Sequence, residues 1–300
     1  MKNKTIGWIG TGIMGNPMVK HLLNAGYKVN IHNRAKEKAA NLIEMGCAWY
    51  DTPAALAADS DLVVTIIGFP KDVEDCYFGA QGIFAGLKPG SFLIDMTTTK
   101  PSLAGRIAAH AEKAGCSFVD APVSGGQVGA VNGTLSIMMG GKKETVDAVI
   151  PLFEAFGKNM VYQGAAGAGQ HAKMCNQVVI AGTMIGVCEG LIYGYKAGLN
   201  PDDLLASITK GAAGCWTLDV LAPRIVKSDY APGFSVDNFV KDLSIALEEA
   251  EAMRLSLPGL AMVKQLYLSL QAIGRGGNGT QALYLVLERL ANAATPATAS

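Results

Sequence analysis

A glycine turn wedged between a strand and a helix constrains this chain more than any other feature. TIGWIG (5–10) is an apolar run with strand character, and GTGIMG (10–15) follows it at once. PMVKHLLNA (17–25) then continues with helical spacing, with Met14, Met18 and Leu22 on one stripe. Gly10, Gly12 and Gly15 fall in the GxGxxG pattern. The first glycine suits a tight turn, the second a close backbone approach to a pyrophosphate, and the third close packing of helix on strand. Six such residues are weak evidence in a chain with 36 glycines, where a purely structural turn is the alternative. The strand before them and the helix and second strand after them turn the motif into a dinucleotide site. The cofactor-binding candidates here are Gly10, Gly12, Ile13, Met14 and Gly15.

The same alternation continues. YKVNIHN (27–33), DLVVTIIG (61–68), SFLIDM (91–96) and SFVDAPV (117–123) read as buried strands, with a helix pattern in PSLAGRIAAHAEKAG (101–115). GTLSIMMGG (133–141) and NMVYQG (159–164) read as closing strands around one more helix. Alternation of this kind implies a parallel sheet covered on both faces. After about Gly169 the strand signals stop, and 170–196 reads as one long helix. The expected architecture is α/β: an N-terminal Rossmann-type doubly wound parallel sheet (1–165) and an all-helical C-terminal domain (197–294), joined by a long interdomain helix (166–196). Residues 295–300 are expected to be a disordered tail. In LNPDDLLASI (199–208), Asn200 is the expected cap, Pro201 the first-turn proline, and two aspartates face the positive end of the helix dipole.

Length and composition fit this reading. Three hundred residues, half of them hydrophobic, allow two domains with substantial cores. Lys+Arg and Asp+Glu balance at 25 each, which argues against nucleic acid or a membrane surface as partner. The six cysteines are scattered without CxxC, as expected of reduced thiols in the cytoplasm. No signal peptide is visible, and the apolar run Val178–Cys188 is short of a membrane span and stops at Glu189. The four histidines lack ligand spacing, so no metal is expected. His171 should point away from Lys173, as a capping or surface residue.

At the end of the second strand, where an acid would bind the ribose hydroxyls of NAD, stand Asn33 and Arg34, with Lys36 and Lys38 nearby. A guanidinium pairs with a 2′-phosphate that a carboxylate would repel. The charge logic favours NADP (NADPH), with NAD used less well; an ordinary solvated loop is the alternative.

GAGQHAKMCNQ (167–177) places Lys173, Asn176 and Gln177 on one side of an apolar helix, since residues three and four apart share a face. A lysine there can act as general acid, donating to a carbonyl oxygen as hydride arrives; partial burial would lower its pKa toward working pH. A lone helical lysine is more often solvated. In VSGG, the Ser124 hydroxyl and the amides of Gly125 and Gly126 can cradle a carboxylate, or simply form a turn.

Together, IGWIGTGIMGNPMVKHLLNAGY, DAPVSGGQVGAVNGTLSIMMGG, GAGQHAKMCNQ and FVKDLSIALEEA (239–250) resemble the β-hydroxyacid dehydrogenase family, over nearly the whole chain and in the family's order. The family includes 3-hydroxyisobutyrate dehydrogenase and tartronate semialdehyde reductase. The resemblance implies a catalytic Lys173, with Asn176 holding the reacting oxygen or the lysine, and a substrate carboxylate at Ser124-Gly125-Gly126. It implies Gln177 and Trp216 as further substrate-pocket residues, although Trp216 suits a core equally well. It places Thr98 beside the nicotinamide ribose, with Thr97 and Thr99 leaving the register open, and Lys241 near the cofactor, where a surface pair with Asp242 is the alternative. The turn at Ile67, Gly68 and Pro70 departs from the family's commoner Met-Leu-Pro, which weakens the cofactor contact implied there.

The expected chemistry is hydride transfer between NADP(H) and a short β-hydroxyacid or its semialdehyde. A 6-phosphogluconate-type oxidative decarboxylase is disfavoured by GTLSIMMGG and by the lack of a basic cluster in the helical half. An imine reductase or a non-catalytic dinucleotide-binding module is disfavoured by Lys173, and the latter also by Asn176 and Ser124. Apolar helices such as 280–294 suggest a homo-oligomer, dimer or tetramer.

Overall fold

A computed structural model describes residues 3–293; the expected tail, 295–300, lies outside them. The chain divides into two compact units, Met1–Lys173 and Met174–Ser300.

The first unit holds a nine-stranded sheet. In chain order it comprises β1 (Thr5–Ile9), α1 (Gly15–Asn24), β2 (Lys28–His32), α2 (Ala40–Glu44), β3 (Ala48–Trp49), α3 (Pro53–Ala58), β4 (Leu62–Thr65), α4 (Pro70–Phe78), α5 (Ile83–Gly86), β5 (Phe92–Asp95), α6 (Pro101–Lys113), β6 (Ser117–Asp120), β7 (Val123–Ser124), α7 (Gly126–Asn132), β8 (Leu135–Gly141), α8 (Lys143–Phe153) and β9 (Gly157–Gly164). β3-β2-β1-β4-β5-β6 are neighbours and all parallel.

The apolar runs explain why both faces are covered. Side chains alternate across a strand, so an unbroken apolar run needs a core on each side. In β4, Leu62 and Val64 join one buried cluster with Trp8, Ile31 and Ile94, whereas Val63 joins a second with Leu93 and Phe118.

The sheet is not parallel throughout. β8 runs antiparallel to β6 and β7, and β9 is parallel to β8. β6 and β7 are one broken strand. The pairings Asp120 with Gly140 and Val123 with Ile137 keep the same register, and the Met138 N–H donates to the Pro122 carbonyl between them at 3.0 Å. Pro122 has no N–H of its own, so the ladder is interrupted there without slipping. The sequence shows the run 117–123 but not the reversal, because β8 is as apolar as a parallel strand. The two-residue β3 is too short to leave a periodic signal.

α9 (Ala168–Lys196) is 29 residues long and contains the division between the units. An 18-residue window of it has mean hydropathy 1.5, apolar and long enough by composition to cross a membrane, a property that the shorter run Val178–Cys188 does not suggest. In the second unit Ala181, Met184, Cys188 and Leu191 of α9 line the core, while Val179 and Tyr193 are exposed. α10 (Pro201–Ile208), α11 (Ala222–Val226), α12 (Val236–Ala252), α13 (Pro258–Ala272) and α14 (Leu283–Leu290) complete that unit. α10 starts as its sequence dictates, with the Asn200 side chain accepting from the amides of Asp202 and Asp203 at 2.9 and 3.1 Å. Phe239 of α12 and Tyr267 of α13 meet edge to face, 5.1 Å between centroids, both fully buried.

Candidate active site

In the first unit, the glycine turn has the geometry its spacing demands. Gly10 has φ +100°, and a Cβ there would meet the Ile66 carbonyl; at Gly15 it would meet the Gly10 carbonyl and come within 2.9 Å of the Trp8 indole nitrogen. Those two glycines are required by the turn and by helix-on-strand contact. At Gly12 a Cβ would meet nothing within 4 Å, so the backbone faces open space. Ile13 is 53% exposed, Met14 is half-buried, and the Thr11 hydroxyl is buried with no hydrogen-bond partner among the described residues. A tight turn opening outward at the start of α1 fits a dinucleotide pyrophosphate.

After β2, the Asn33 side chain donates to the Ala35 carbonyl at 3.0 Å and shapes the loop. Arg34 and Lys38 are exposed; the Arg34 guanidinium lies 3.4 Å from Asp72 of α4. Lys36 sits over the Trp49 ring. Asp72 also accepts from the Phe69 amide at 3.0 Å, which fixes the turn carrying Ile67 and Gly68.

The strand ends of β5 and β6 carry two fully buried acids, Asp95 and Asp120, neighbours in register. Asp95 accepts from the Thr65 hydroxyl at 2.8 Å and the Thr97 amide at 3.0 Å through one oxygen; its other oxygen has no partner among the described residues. Burial outweighs these bonds and pushes its pKa up to about 6. Asp120 is likewise raised by burial, against the backbone donors at its oxygens. Those donors are Gly167 N–H at 2.7 Å and Gln170 N–H at 2.9 Å, so Asp120 caps the start of α9. Gly140 and Gly169 permit the approach, since a Cβ on Gly140 would lie 2.6 Å and on Gly169 2.8 Å from that carboxylate.

Of the three threonines after β5, Thr97 and Thr99 are buried and Thr98 is not. The Thr97 hydroxyl accepts from the Ile67 amide at 3.0 Å. Thr98 is the more accessible side chain of the three. Ser124 ends β7, half-buried. Gly125 and Gly126, at φ +124° and +61°, turn the chain into α7 through conformations that favour glycine. Lys173 is 7% exposed, whereas His171 is exposed, as its offset from Lys173 requires.

In the second unit a continuous polar chain links four residues. Asn176 Nδ2 donates to Gln177 Oε1 at 2.7 Å, Gln177 Nε2 donates to Asp242 Oδ2 at 2.6 Å, and Asp242 Oδ1 lies 2.9 Å from Lys241 Nζ. The Lys241–Asp242 pair forms, but not on the surface: its side chains are 10% and 1% exposed. Trp216, 57% exposed, is not a core residue, and a one-turn π-helix (Thr217–Leu221) follows it. Among the described residues no group of three or more His, Cys, Asp or Glu could hold a metal ion.

Asp242 enters the sequence reading only as a surface partner of Lys241, and Gln170, Asp95 and Asp120 are not among its site residues. Their signal was present: FLID and SFVD are apolar strands ending in an acid, and a buried carboxylate requires donors elsewhere in the chain.

Two family models match the chain: the NAD binding domain of 6-phosphogluconate dehydrogenase over residues 5–164, and the NAD-binding domain of NADP-dependent 3-hydroxyisobutyrate dehydrogenase over 167–287. The "Probable 3-hydroxyisobutyrate dehydrogenase-like 1, mitochondrial" of Arabidopsis thaliana is 51% identical, covering 97% of this chain and 87% of its own. The 2-hydroxy-3-oxopropionate reductase of Escherichia coli is 34% identical, covering 96% and 98%. Among solved structures, Mycobacterium tuberculosis 3-hydroxyisobutyrate dehydrogenase with L-serine superposes with a TM-score of 0.87 at 30% identity, covering 95% and 99%.

Proposed function

From the premise that this chain belongs to the β-hydroxyacid dehydrogenase family and is an NAD(P)-dependent oxidoreductase acting on small hydroxyacids, we propose that it interconverts a short β-hydroxyacid and its semialdehyde, with NADP preferred and Lys173 as general acid and base. The observation that carries this reading is the burial of Lys173 one turn beyond a capped helix start. An ammonium removed from water is placed for proton transfer rather than for solubility.

The dinucleotide, when bound, supplies or accepts the hydride at the substrate carbon. Gly10, Gly12, Ile13, Met14 and Gly15 would hold its pyrophosphate. Asn33, Arg34 and Lys38 would hold the adenine ribose side, and Ile67, Gly68, Thr98 and Lys241 the remainder. In reduction, the Lys173 ammonium donates a proton to the carbonyl oxygen as the C–H bond forms, leaving a hydroxyl and a neutral amine. In oxidation the amine takes that proton back. Ser124 and the amides of Gly125 and Gly126 bind the carboxylate, two of them with the positive φ that aims successive N–H groups. Asn176 orients the reacting oxygen or Lys173. Gln177 binds substrate and also holds the Asn176 amide, with one N–H and one lone pair of its own amide left over. Trp216, exposed, would limit substrate size.

The exposed guanidinium of Arg34 supports NADP preference, because an ion pair this open exchanges readily for a phosphate. Six free thiols fit action in the cytoplasm. Exposed apolar side chains of the second unit, among them Tyr193, Leu290 and Met262, support a homo-oligomer. Lys173→Ala tests the proposal. We expect turnover with a panel of small semialdehydes to fall at least about 10³-fold while NADPH binding is retained; parent-like turnover would refute the role of the lysine.

A further inference from the structure

The Gln170 side chain is completely buried. Its amide is nevertheless used at both ends. Oε1 accepts from the Thr99 N–H at 3.0 Å, and Nε2 donates to the Thr97 carbonyl at 2.7 Å. These are backbone groups two residues apart, so the side chain pairs with the turn after β5 as a strand would. Only one orientation of the amide satisfies both contacts. Its own N–H is held by Asp120.

Thr97 extends the connection. Its amide donates to Asp95 and its hydroxyl accepts from the Ile67 amide. The turns after β4 and β5 and the first turn of α9 are therefore one hydrogen-bonded body, with Gln170 as the link to the helix. Asp120 fixes where α9 begins but bonds only to backbone N–H groups at its end. Against rotation about the helix axis, Gln170 adds a directional side-chain hold at this first turn, beyond the packing of the helix's apolar residues.

We infer that Gln170 is a positioning residue for Lys173, setting the rotation and height of the helix against the turns at 66–69 and 97–99. This rests on Lys173 being the proton donor. Lys173 follows three residues later, about 4.5 Å along the axis. A helix rotation of about 10° moves a group at the roughly 6 Å side-chain radius by about 1 Å. A misplacement of that size costs a reacting group about 10²-fold in rate.

Gln170→Met keeps the volume and removes both bonds. We expect kcat to fall about 10²-fold, with the NADPH dissociation constant within about threefold of the parent. Two readouts without dinucleotide accompany it. The Thr99 and Ile67 amides should exchange faster with solvent, and the titration of ¹³C-dimethylated Lys173, followed by NMR, should shift. Gln170→Glu is the second variant. A protonated carboxyl reproduces both bonds, whereas an ionised one cannot donate to the Thr97 carbonyl. Its kcat relative to the parent should therefore fall at least about tenfold between pH 5 and pH 8 as the carboxyl ionises. A parent-like kcat and Lys173 titration in Gln170→Met, a pH-independent ratio in Gln170→Glu, or a Gln170→Glu protein unfolded at pH 5 would each overturn the inference. Lys173→Ala separates the two readings. If it turns over normally, the proton-donor role fails; if it is dead while both Gln170 variants are normal, only the positioning role fails.

Discussion

Replacing Asp95 by asparagine should change how the stability of the first unit depends on pH, and by an amount the structure fixes. Asp95 has no solvent exposure, and burial raises its pKa to about 6. An unfolded aspartate titrates near 3.9. The folded protein therefore holds this proton more firmly than the unfolded chain. The stability this provides is fully present below about pH 4 and is lost as pH rises toward about 6. A shift of about two units corresponds to about 3 kcal/mol. Asparagine does not titrate, and its Oδ1 accepts the same two bonds, from Thr65 and Thr97, that one carboxylate oxygen accepts now. Its Nδ2 falls where the carboxylate oxygen has no partner among the described residues. An unsatisfied amide there costs about 1–3 kcal/mol at every pH, which offsets the curve without changing its slope. Urea unfolding followed by circular dichroism at intervals from pH 4 to pH 7 gives the test. The stability of the parent minus that of Asp95→Asn should fall by about 2 kcal/mol across the range, because titrating groups that do not interact with Asp95 cancel. A difference that stays flat would show that this carboxyl ionises at its ordinary value and that the argument from burial fails.

Further outcomes follow from the same geometry. Gly15→Ala should cost several kcal/mol, roughly the 1–3 of an overpacked site and more, and should abolish dinucleotide binding, because its Cβ meets the Gly10 carbonyl; calorimetry and dinucleotide titration check both. Arg34→Ala should lower the ratio of NADPH to NADH efficiency about tenfold, measured as kcat/KM; an unchanged ratio removes the basis for NADP preference. Ser124→Ala should raise KM for the acid about fivefold, the equivalent of one hydrogen bond, with a smaller effect on kcat. Asp242→Asn should weaken the hold on Lys241 and Asn176 together, so its kinetic effect and that of Gln177→Ala should combine non-additively in a double-mutant cycle.

Local rules made the frame legible. Apolar runs located the strands, and the glycine spacing located the turn, where Gly15 is demanded by the nearby Gly10 carbonyl and Gly10 by its positive φ as well as by the distant Ile66 carbonyl. Asn200 and Pro201 announced their helix by local contacts. What the sequence hid depends on pairing between distant segments. Nothing in LSIMMGG says that β8 runs against β6. Nothing in GAGQ says that Gly169 is needed because an aspartate 49 positions earlier must reach the helix end. The site divides in the same way. Lys173, Asn176 and Ser124 stand in motifs, but Gln170 and Asp242 act through partners 71 and 65 residues away in the chain. That Thr98 is more accessible than the buried Thr97 and Thr99 is likewise invisible in a run of three threonines.

The proline that interrupts the β6–β7 ladder gives this molecule a stiff ruler. Asp120, which anchors the lysine-bearing helix, and Ser124, the proposed acid-gripping hydroxyl, stand on either side of Pro122, whose ring leaves the backbone little freedom to stretch or pivot. If the proposed roles of Lys173 and Ser124 hold, the separation between proton donor and carboxylate is written into four peptide units rather than into a mobile loop. Widening the range of accepted molecules should come more readily from trimming bulk around the pocket than from lengthening this segment, where one inserted residue would turn the serine to the opposite face of the sheet.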